Sequence, residues 1–432
     1  MELENDKTSS KQLQIRLVAL NKRFDTSGNL LSLPSRFGCD ELSETVHTLL
    51  SANDIEIPAS VQFDFAINND LLRDSLEGYV TSKNLSTESV IEVVYFQKEP
   101  PPDFLNTILH SDWIKSVRSK DDCILAGSLD GTARIWNMAG EEYAIFKGHE
   151  SYVNGVEWIS KDNNHATIVT ASQDGTLRLW EWAIGTKSVE CLCECKGHTQ
   201  AVNAVTVNQS KTKICSVSSD KMIKIWSTDC SRKDDDTTHP IHKKMKTNQG
   251  LQKAVDKLPD ITLSGHTDGI DAVVWPKEAE IITAGWDHRI KIWDTEVGVN
   301  KSDINVNKVV KGITCSPFQD LIAAGSFDEG IIRLYDPRVV GDQTVLKLTL
   351  KSHKNIVSSL CWSTTDEQQL VSGSFDNTVK LWDIRCNLAP LYSIEGHEDK
   401  VLAVDWSEPQ YIVSGGADNR IQIYQREVAQ RS

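Results

Sequence analysis

Histidines and aspartates recur in this sequence at a spacing that could carry acid–base chemistry. His110, His149, His198, His266, His353 and His397 are followed, 20 to 25 residues later, by Asp130, Asp174, Asp220, Asp287, Asp376 and Asp418. A carboxylate bonded to one imidazole nitrogen fixes the ring's tautomer and leaves the other nitrogen to take or give a proton, as a general base does. An active site needs one such pair, beside a nucleophile and a cleft. Six equivalent pairs along one chain serve a repeated structural purpose instead, in which each buried polar group finds a partner. No nucleophile–base motif or phosphate loop accompanies them. The chain is not expected to be an enzyme.

The elements that must position these pairs are legible around each aspartate. "GSFDNTVKLWD" (373–383) reads as an apolar strand, a tight turn at Asp376 and a second strand. Similar stretches surround Asp130, Asp174, Asp220, Asp287, Asp328 and Asp418, with gaps of 44, 46, 67, 41, 48 and 42 residues between successive aspartates. That period, with four short strands per unit, is the mark of a WD-repeat β-propeller. An aromatic residue follows six of the aspartates by six positions: Trp136, Trp180, Trp226, Trp293, Trp382 and Tyr424. Trp158, Trp275, Trp362 and Trp406 each lie nine residues after a histidine, a second repeated core position. The fifth unit departs, with Asn307 near the histidine position and Tyr335 seven residues after Asp328. A bulge is expected there, and an incomplete polar chain. These repeats are similar to the WD-repeat family, in which histidine, strand Ser/Thr, turn aspartate and strand tryptophan form a buried hydrogen-bonded chain within each blade.

The last unit ends at Tyr424, eight residues before the final residue, so its outer strand must come from elsewhere. "DFLNTIL", Asp103 to Leu109, is placed to close the ring and remove an exposed sheet edge. The long gap carries a polar surplus over 229–259, expected as a mobile insert loop. Within it "HKKMK", with Lys243, Lys244 and Lys246, is a weak nuclear-import signal. The residues just before the turn aspartates include Trp286, Phe327 and Phe375 on consecutive blades. If they face the narrower surface of the ring, they form a protein-docking cluster.

Other reactive types are weaker candidates. "CLCEC" (Cys191, Cys193, Cys195) alternates like a strand, whereas zinc sites usually use turn spacing and four ligands, so a buried outer strand is expected. "YDPR" and "WDIR", with Arg338 and Arg385, are similar to boxes by which some propellers join cullin ubiquitin ligases, though arginines there also serve as ordinary ion-pair partners.

Residues 11–97 lack the repeat. "LQIRLVAL" alternates as a strand with "LLSLPSRF" as its hairpin partner, and "VQFDFAIN" and "ESVIEVVYF" follow as strands. Between them "CDELSETVHTLLSAN" reads as a helix with Asp40 at its N-cap and Leu42, Val46, Leu49 and Leu50 on one face. The order ββαβ, a turn segment, then β is that of a ubiquitin-like β-grasp, and "QKEPPPD" is a stiff linker. With no terminal Gly-Gly, the unit is a docking module rather than a conjugated modifier. The expected fold is thus mainly β: a ubiquitin-like α+β domain over 11–97, a linker and closing strand over 98–109, and a seven-bladed WD-repeat propeller over 110–432.

Composition narrows the partners. The net charge of −15 disfavours binding that rests on phosphate neutralisation and favours protein partners, though local rRNA contact stays open. No apolar run is long enough to span a bilayer, and the polar N-terminus is not a signal peptide. Ten scattered cysteines suggest a reducing compartment and free thiols.

The whole chain resembles the ribosome-biogenesis WD-repeat family of the PeBoW complex (WD repeat-containing protein twelve family). The resemblance is carried by "VQFDFAIN", "LLRDSLEGYV", "NLSTESVIEVVYF", "DKMIKIWST" and "HEDKVLAVDW". It implies a non-catalytic assembly factor for the large ribosomal subunit and rRNA maturation, in the nucleus, nucleolus and nucleoplasm. Implied partners are Pescadillo, the block-of-proliferation protein and pre-60S particles, with no membrane. Release would come from the AAA ATPase midasin gripping the ubiquitin-like domain. Glu88, at the start of the last strand of that domain, matches the acid that completes a Mg²⁺ site on midasin; no cofactor of the chain's own is implied. The Notchless family shares the N-terminal module but adds a blade, and a cullin-ligase receptor is the rival reading.

Overall fold

The computed structural model describes residues 11–26, 28, 30–55, 57–58, 61–86, 89–98, 100–230, 254–338 and 346–426. The chain separates into two compact units, one holding the residues up to Pro101 with Asp383–Leu391, the other Pro102–Trp382 with the residues from Tyr392 onward.

In the N-terminal unit, alternation in "QLQIRLVA" makes β1 (Gln12–Ala19), with Leu13, Ile15 and Leu17 turned inward. It pairs antiparallel with β2 (Leu30–Pro34) and parallel with β5 (Ile91–Gln97). β3 (Phe63–Ile67) and β4 (Asp70–Leu71) complete the order β2-β1-β5-β3-β4, the β-grasp arrangement with its single parallel pair at the centre. Helix α1 (Cys39–Ala52) lays Leu42, Val46 and Leu50 on the sheet, and Leu49 packs at the margin. Its N-cap is Gly38, not Asp40: the Glu41 carboxylate accepts from the Gly38 N–H at 2.9 Å, and Asp40 falls in the first turn, where its charge suits the helix dipole. The stretch expected as a turn is a short helix, α2 (Leu76–Ser82), whose first turn is tied by Gly78 N–H donating to Ser75 Oγ. The last strand begins at Ile91, three residues beyond Glu88.

Among the described residues the second unit is built of seven sheets, each with four antiparallel strands, whose first strands are Ile114–Lys120, Val153–Lys161, Val202–Val207, Ile270–Lys277, Val310–Cys315, Val357–Trp362 and Val401–Asp405. Each of these strands packs against the next, and the seventh packs against the first, so the sheets close into a ring. The outer strand of the seventh sheet is β6 (Asp103–Leu109), paired with Arg420–Gln425 as the closing strand expected from the sequence. Trp158, Trp275, Trp362 and Trp406 are all buried. Small residues set the distance between sheets. A Cβ on Gly373 would come within 2.7 Å of Val401 Cγ1 and Val404 Cγ1, too close for either to stay where it is.

Three expectations need correction. The extra residue of the fifth unit does not make a bulge: Ile322–Ser326 and Ile331–Tyr335 pair in unbroken register from Ile322↔Tyr335 to Gly325↔Ile332, and the turn between them, with Gly330 at φ 62°, absorbs it. The insert 229–259 is not wholly a loop. Val255–Lys257 pairs parallel with Cys193–Cys195 as a fifth strand on the second sheet, while residues 231–253, including Lys243, Lys244 and Lys246, lie outside the described residues. Nor are all thiols free, because Cys193 and Cys230 form a disulfide; the other eight cysteines are unpaired.

Candidate functional site

Five of the six histidine–aspartate pairs are bonded. Nδ1 of His149, His198, His266, His353 and His397 lies 2.7–2.9 Å from an oxygen of Asp174, Asp220, Asp287, Asp376 and Asp418. Nε2 meets the hydroxyl of Thr170, Ser216, Thr283, Ser372 or Ser414 at 2.7–2.8 Å. In the second, third, fourth and sixth sheets Trp180, Trp226, Trp293 and Trp382 donate Nε1–H to that same hydroxyl at 2.8–2.9 Å. In the seventh, the Tyr424 hydroxyl turns to Gln422 instead. Burial alone would raise the Asp174 and Asp376 carboxyls. Hydrogen bonds from His149 and Thr176, and from His353 and Thr378, more than offset it and hold them well below the usual carboxylate range. Both ring nitrogens are spent inside the blade, and none is left to abstract a proton from a substrate. These chains hold blades together.

The first sheet breaks the pattern. His110 sits against Trp136 as its counterparts do, with ring centroids 6.1 Å apart, yet it does not bond Asp130. The Ser111 N–H donates to its Nδ1, while Asp130 takes Ser111 Oγ and Arg134, the latter at 3.0 Å. The hydroxyl position, four residues before the aspartate, is Ala126. With no hydroxyl to bridge them, His110 Nε2 and Trp136 Nε1 are buried without a partner among the described residues. In the fifth sheet Asp328 is half exposed and 3.9 Å from Lys308, with Ala324 at the hydroxyl position and Asn307 at φ 57° where the histidine would stand.

The aromatic trio lies on one rim of the ring. The residue before each turn aspartate donates its N–H to the entry of the neighbouring first strand: Leu129 to Trp113, Gln173 to Tyr152, Trp286 to Gly269, Phe327 to Val309, Phe375 to Ile356. Trp286 is 42% exposed and packs against Phe327 with centroids 5.2 Å apart and ring planes tilted by 52°, its indole N–H donating to Asp271 at 2.9 Å. Phe375 stands separately under the Lys400 ammonium, 5.6 Å from its ring centre. Trp113 and Tyr152, 41% and 49% exposed, share this rim. Sequence reasoning missed them, although both lie three residues after a histidine of the repeat.

The remaining candidates separate. Cys191, Cys193 and Cys195 lie on the outer strand Ser188–Lys196, where burial pushes the Cys191 thiol up to about 11 and Cys195 to about 12. Arg338 pairs with Asp336 at 2.8 Å and Arg385 with Asp383, so each arginine is held by the aspartate two residues before it. Glu88 lies outside the described residues.

Comparison with known proteins follows the same two parts. The NLE (NUC135) domain model matches residues 13–80, and the WD domain, G-beta repeat model matches 103–137, 140–181, 189–227, 258–294, 344–383 and 388–425. Its six matches leave out residues 295–343, which hold the first three strands of the fifth sheet, the one without a histidine. The chain is 39% identical over 416 residues to a protein of Nematostella vectensis named "Ribosome biogenesis protein WDR12 homolog", covering 96% of this chain and 99% of that one. Proteins of the same name from Aedes aegypti and Anopheles gambiae are 38% and 37% identical, covering 98% and 99% of this chain and 97% and 98% of their own.

Proposed function

The chain belongs to the family of WDR12-homologue ribosome biogenesis proteins, and from that premise we propose that it is a non-catalytic assembly factor of the large ribosomal subunit. The observation that carries this reading is the extent of the relatedness, which spans the β-grasp unit and the ring together. In this proposal the chain works in the nucleus and nucleolus on pre-60S particles. The ring joins Pescadillo and the block-of-proliferation protein, with Trp286, Phe327 and Phe375 as its contact aromatics. The N-terminal unit is the handle by which midasin removes the factor. Glu88 supplies one carboxylate to a Mg²⁺ ion held by midasin, since Mg²⁺ takes oxygen ligands in near-octahedral geometry and an open position accepts one from a partner.

Pull-downs from one set of full-length variants test both ends. Glu88→Ala and Glu88→Asp should lose Mg²⁺-dependent capture of midasin's metal-binding domain and keep Pescadillo and the block-of-proliferation protein. Alanine at Trp286, Phe327 and Phe375 together should do the reverse, weakening a PeBoW partner and sparing midasin. Wild-type midasin binding by Glu88→Ala sinks the handle. Unchanged PeBoW assembly by the triple variant sinks the aromatic contact.

A further inference from the structure

A ring of side chains from all seven sheets lines the mouth of the central channel, beneath the aromatic rim. In all seven first strands the pairing slips after the opening residue, between Ile114 and Ser116 in the first sheet and at the equivalent step in the others. The residue skipped is a bulge, and bulges re-aim a side chain. The seven skipped side chains line one belt of a channel of about 260 Å³.

Most of the belt satisfies itself from blade to blade. Asn154 donates to the Val202 carbonyl at 2.9 Å, Asn203 to Ile270 at 2.8 Å and to Asp271 at 3.1 Å, and Ser358 to Val401 at 2.6 Å. Lys311 pairs with Asp271 at 2.6 Å, and Trp286 donates to the same carboxylate oxygen. Leu402 is apolar. One residue deeper than Ser116 and Val117, Arg118 is matched by Glu157 at 2.9 Å and Asp405 at 3.7 Å. Lys115 is the exception, because its ammonium makes no hydrogen bond or ion pair with any described residue. Burial, and then the nearby Lys311 charge, pull it down to about 8, with Asp271 opposing. A partly buried, unpaired ammonium costs stability and is retained where it has something to bind.

We propose that this mouth receives a single carboxylate, an aspartate or glutamate side chain of an extended protein segment, on Lys115. The charge count selects this occupant. The belt carries two ammoniums and one carboxylate, and Lys311 is already neutralised by Asp271, so one positive charge remains for a monoanion. RNA recognition recruits several cations along a backbone, and the belt offers one, in a chain of net charge −15. Phe375 also lines the mouth and gives the residues beside the acid an apolar seat. The site does not depend on the family reading, since Lys115→Met leaves the rim aromatics and Glu88 untouched.

The test uses the full-length protein and fluorescent octapeptides that differ only at a central Asp, Glu, Asn, Gln or phosphoserine flanked by aromatic and aliphatic residues, with a short single-stranded RNA for comparison. Asp and Glu peptides should bind at least ~tenfold more tightly than their amides, a factor typical of one charge-assisted contact. Lys115→Met should abolish that preference, and Lys115→Arg should keep it. Lys115→Met should also melt a few degrees higher than wild type, because an unpaired, partly buried charge is removed without loss of volume. Equal binding of acids and amides (absence of binding included), a preference that survives in Lys115→Met, tighter binding of phosphoserine or RNA, or a lower melting point of Lys115→Met each overturns the assignment.

Discussion

Ala126 holds the position that Thr170, Ser216, Thr283, Ser372 and Ser414 hold in the bonded blades, and its missing hydroxyl leaves His110 Nε2 and Trp136 Nε1 unsatisfied in the interior. Ala126→Ser should therefore stabilise the protein by about 1 kcal/mol, the usual net contribution of an intramolecular hydrogen bond, and more if it satisfies both groups. A urea-denaturation midpoint that fails to rise, or falls, would show that the first blade has repacked around the alanine. The pairs themselves were legible because His and Asp repeat at a steady distance, and one-to-one spacing is all a sequence can show. That His110 and Asp130 do not touch was hidden. It depends on Ser111 and Arg134 competing for the same carboxylate, which is settled only in three dimensions.

Strands and their turns were readable wherever a repeat supplied several copies to compare. α2 escaped because seven residues cannot display a helical period, and the fifth turn escaped because an extra residue fits a turn as well as a strand until the pairing is known. The closing strand was the strongest inference of this kind, since a final blade one strand short leaves an edge that must be covered. It also makes the sharpest element-level prediction. In β6 Ile108 is 3% exposed and faces Ile421, whereas Phe104 is 61% exposed beside Tyr424. Ile108→Asp places an unpaired carboxylate in that interface and should cost about 3 kcal/mol or more, while Phe104→Ser should stay within about 1 kcal/mol. Releasing β6 bares the edge Arg420–Gln425, so light scattering of Ile108→Asp should rise on storage. Equal melting points for the two variants would mean that the ring does not rely on this strand for closure.

At the scale of the whole molecule the blades act on stability together through pH. Burial holds His110 down to about 4 and also lowers His198 and His353, so the folded ring favours their neutral forms. A histidine depressed in the folded state contributes no penalty above its unfolded value near 6.5, and it destabilises progressively as pH falls from there toward the folded value. For His110 the full span amounts to about 3 kcal/mol, at ~1.4 kcal/mol for each pH unit. The turn aspartates act in a lower window. Asp174, Asp220, Asp287, Asp376 and Asp418 are lowered in the folded ring, because hydrogen bonds to their carboxylates outweigh the raising effect of burial. Their stabilisation is complete above the ordinary carboxylate range and is lost as pH falls below about 4. Acid should thus weaken the ring in two stages, a shallow one from about pH 6.5 and a steep one below about pH 4. All twelve tryptophans lie between Trp113 and Trp406, so their fluorescence during urea titration reads the ring without the β-grasp unit. Midpoints at pH 7.5, 5 and 3.5 should fall in that order, and His110→Phe should shrink the first drop most and the second by the smaller part of the histidine penalty that accrues between pH 5 and about 4. A midpoint unchanged between pH 7.5 and 5 would mean that the buried histidines accept protons without disturbing the blades they join.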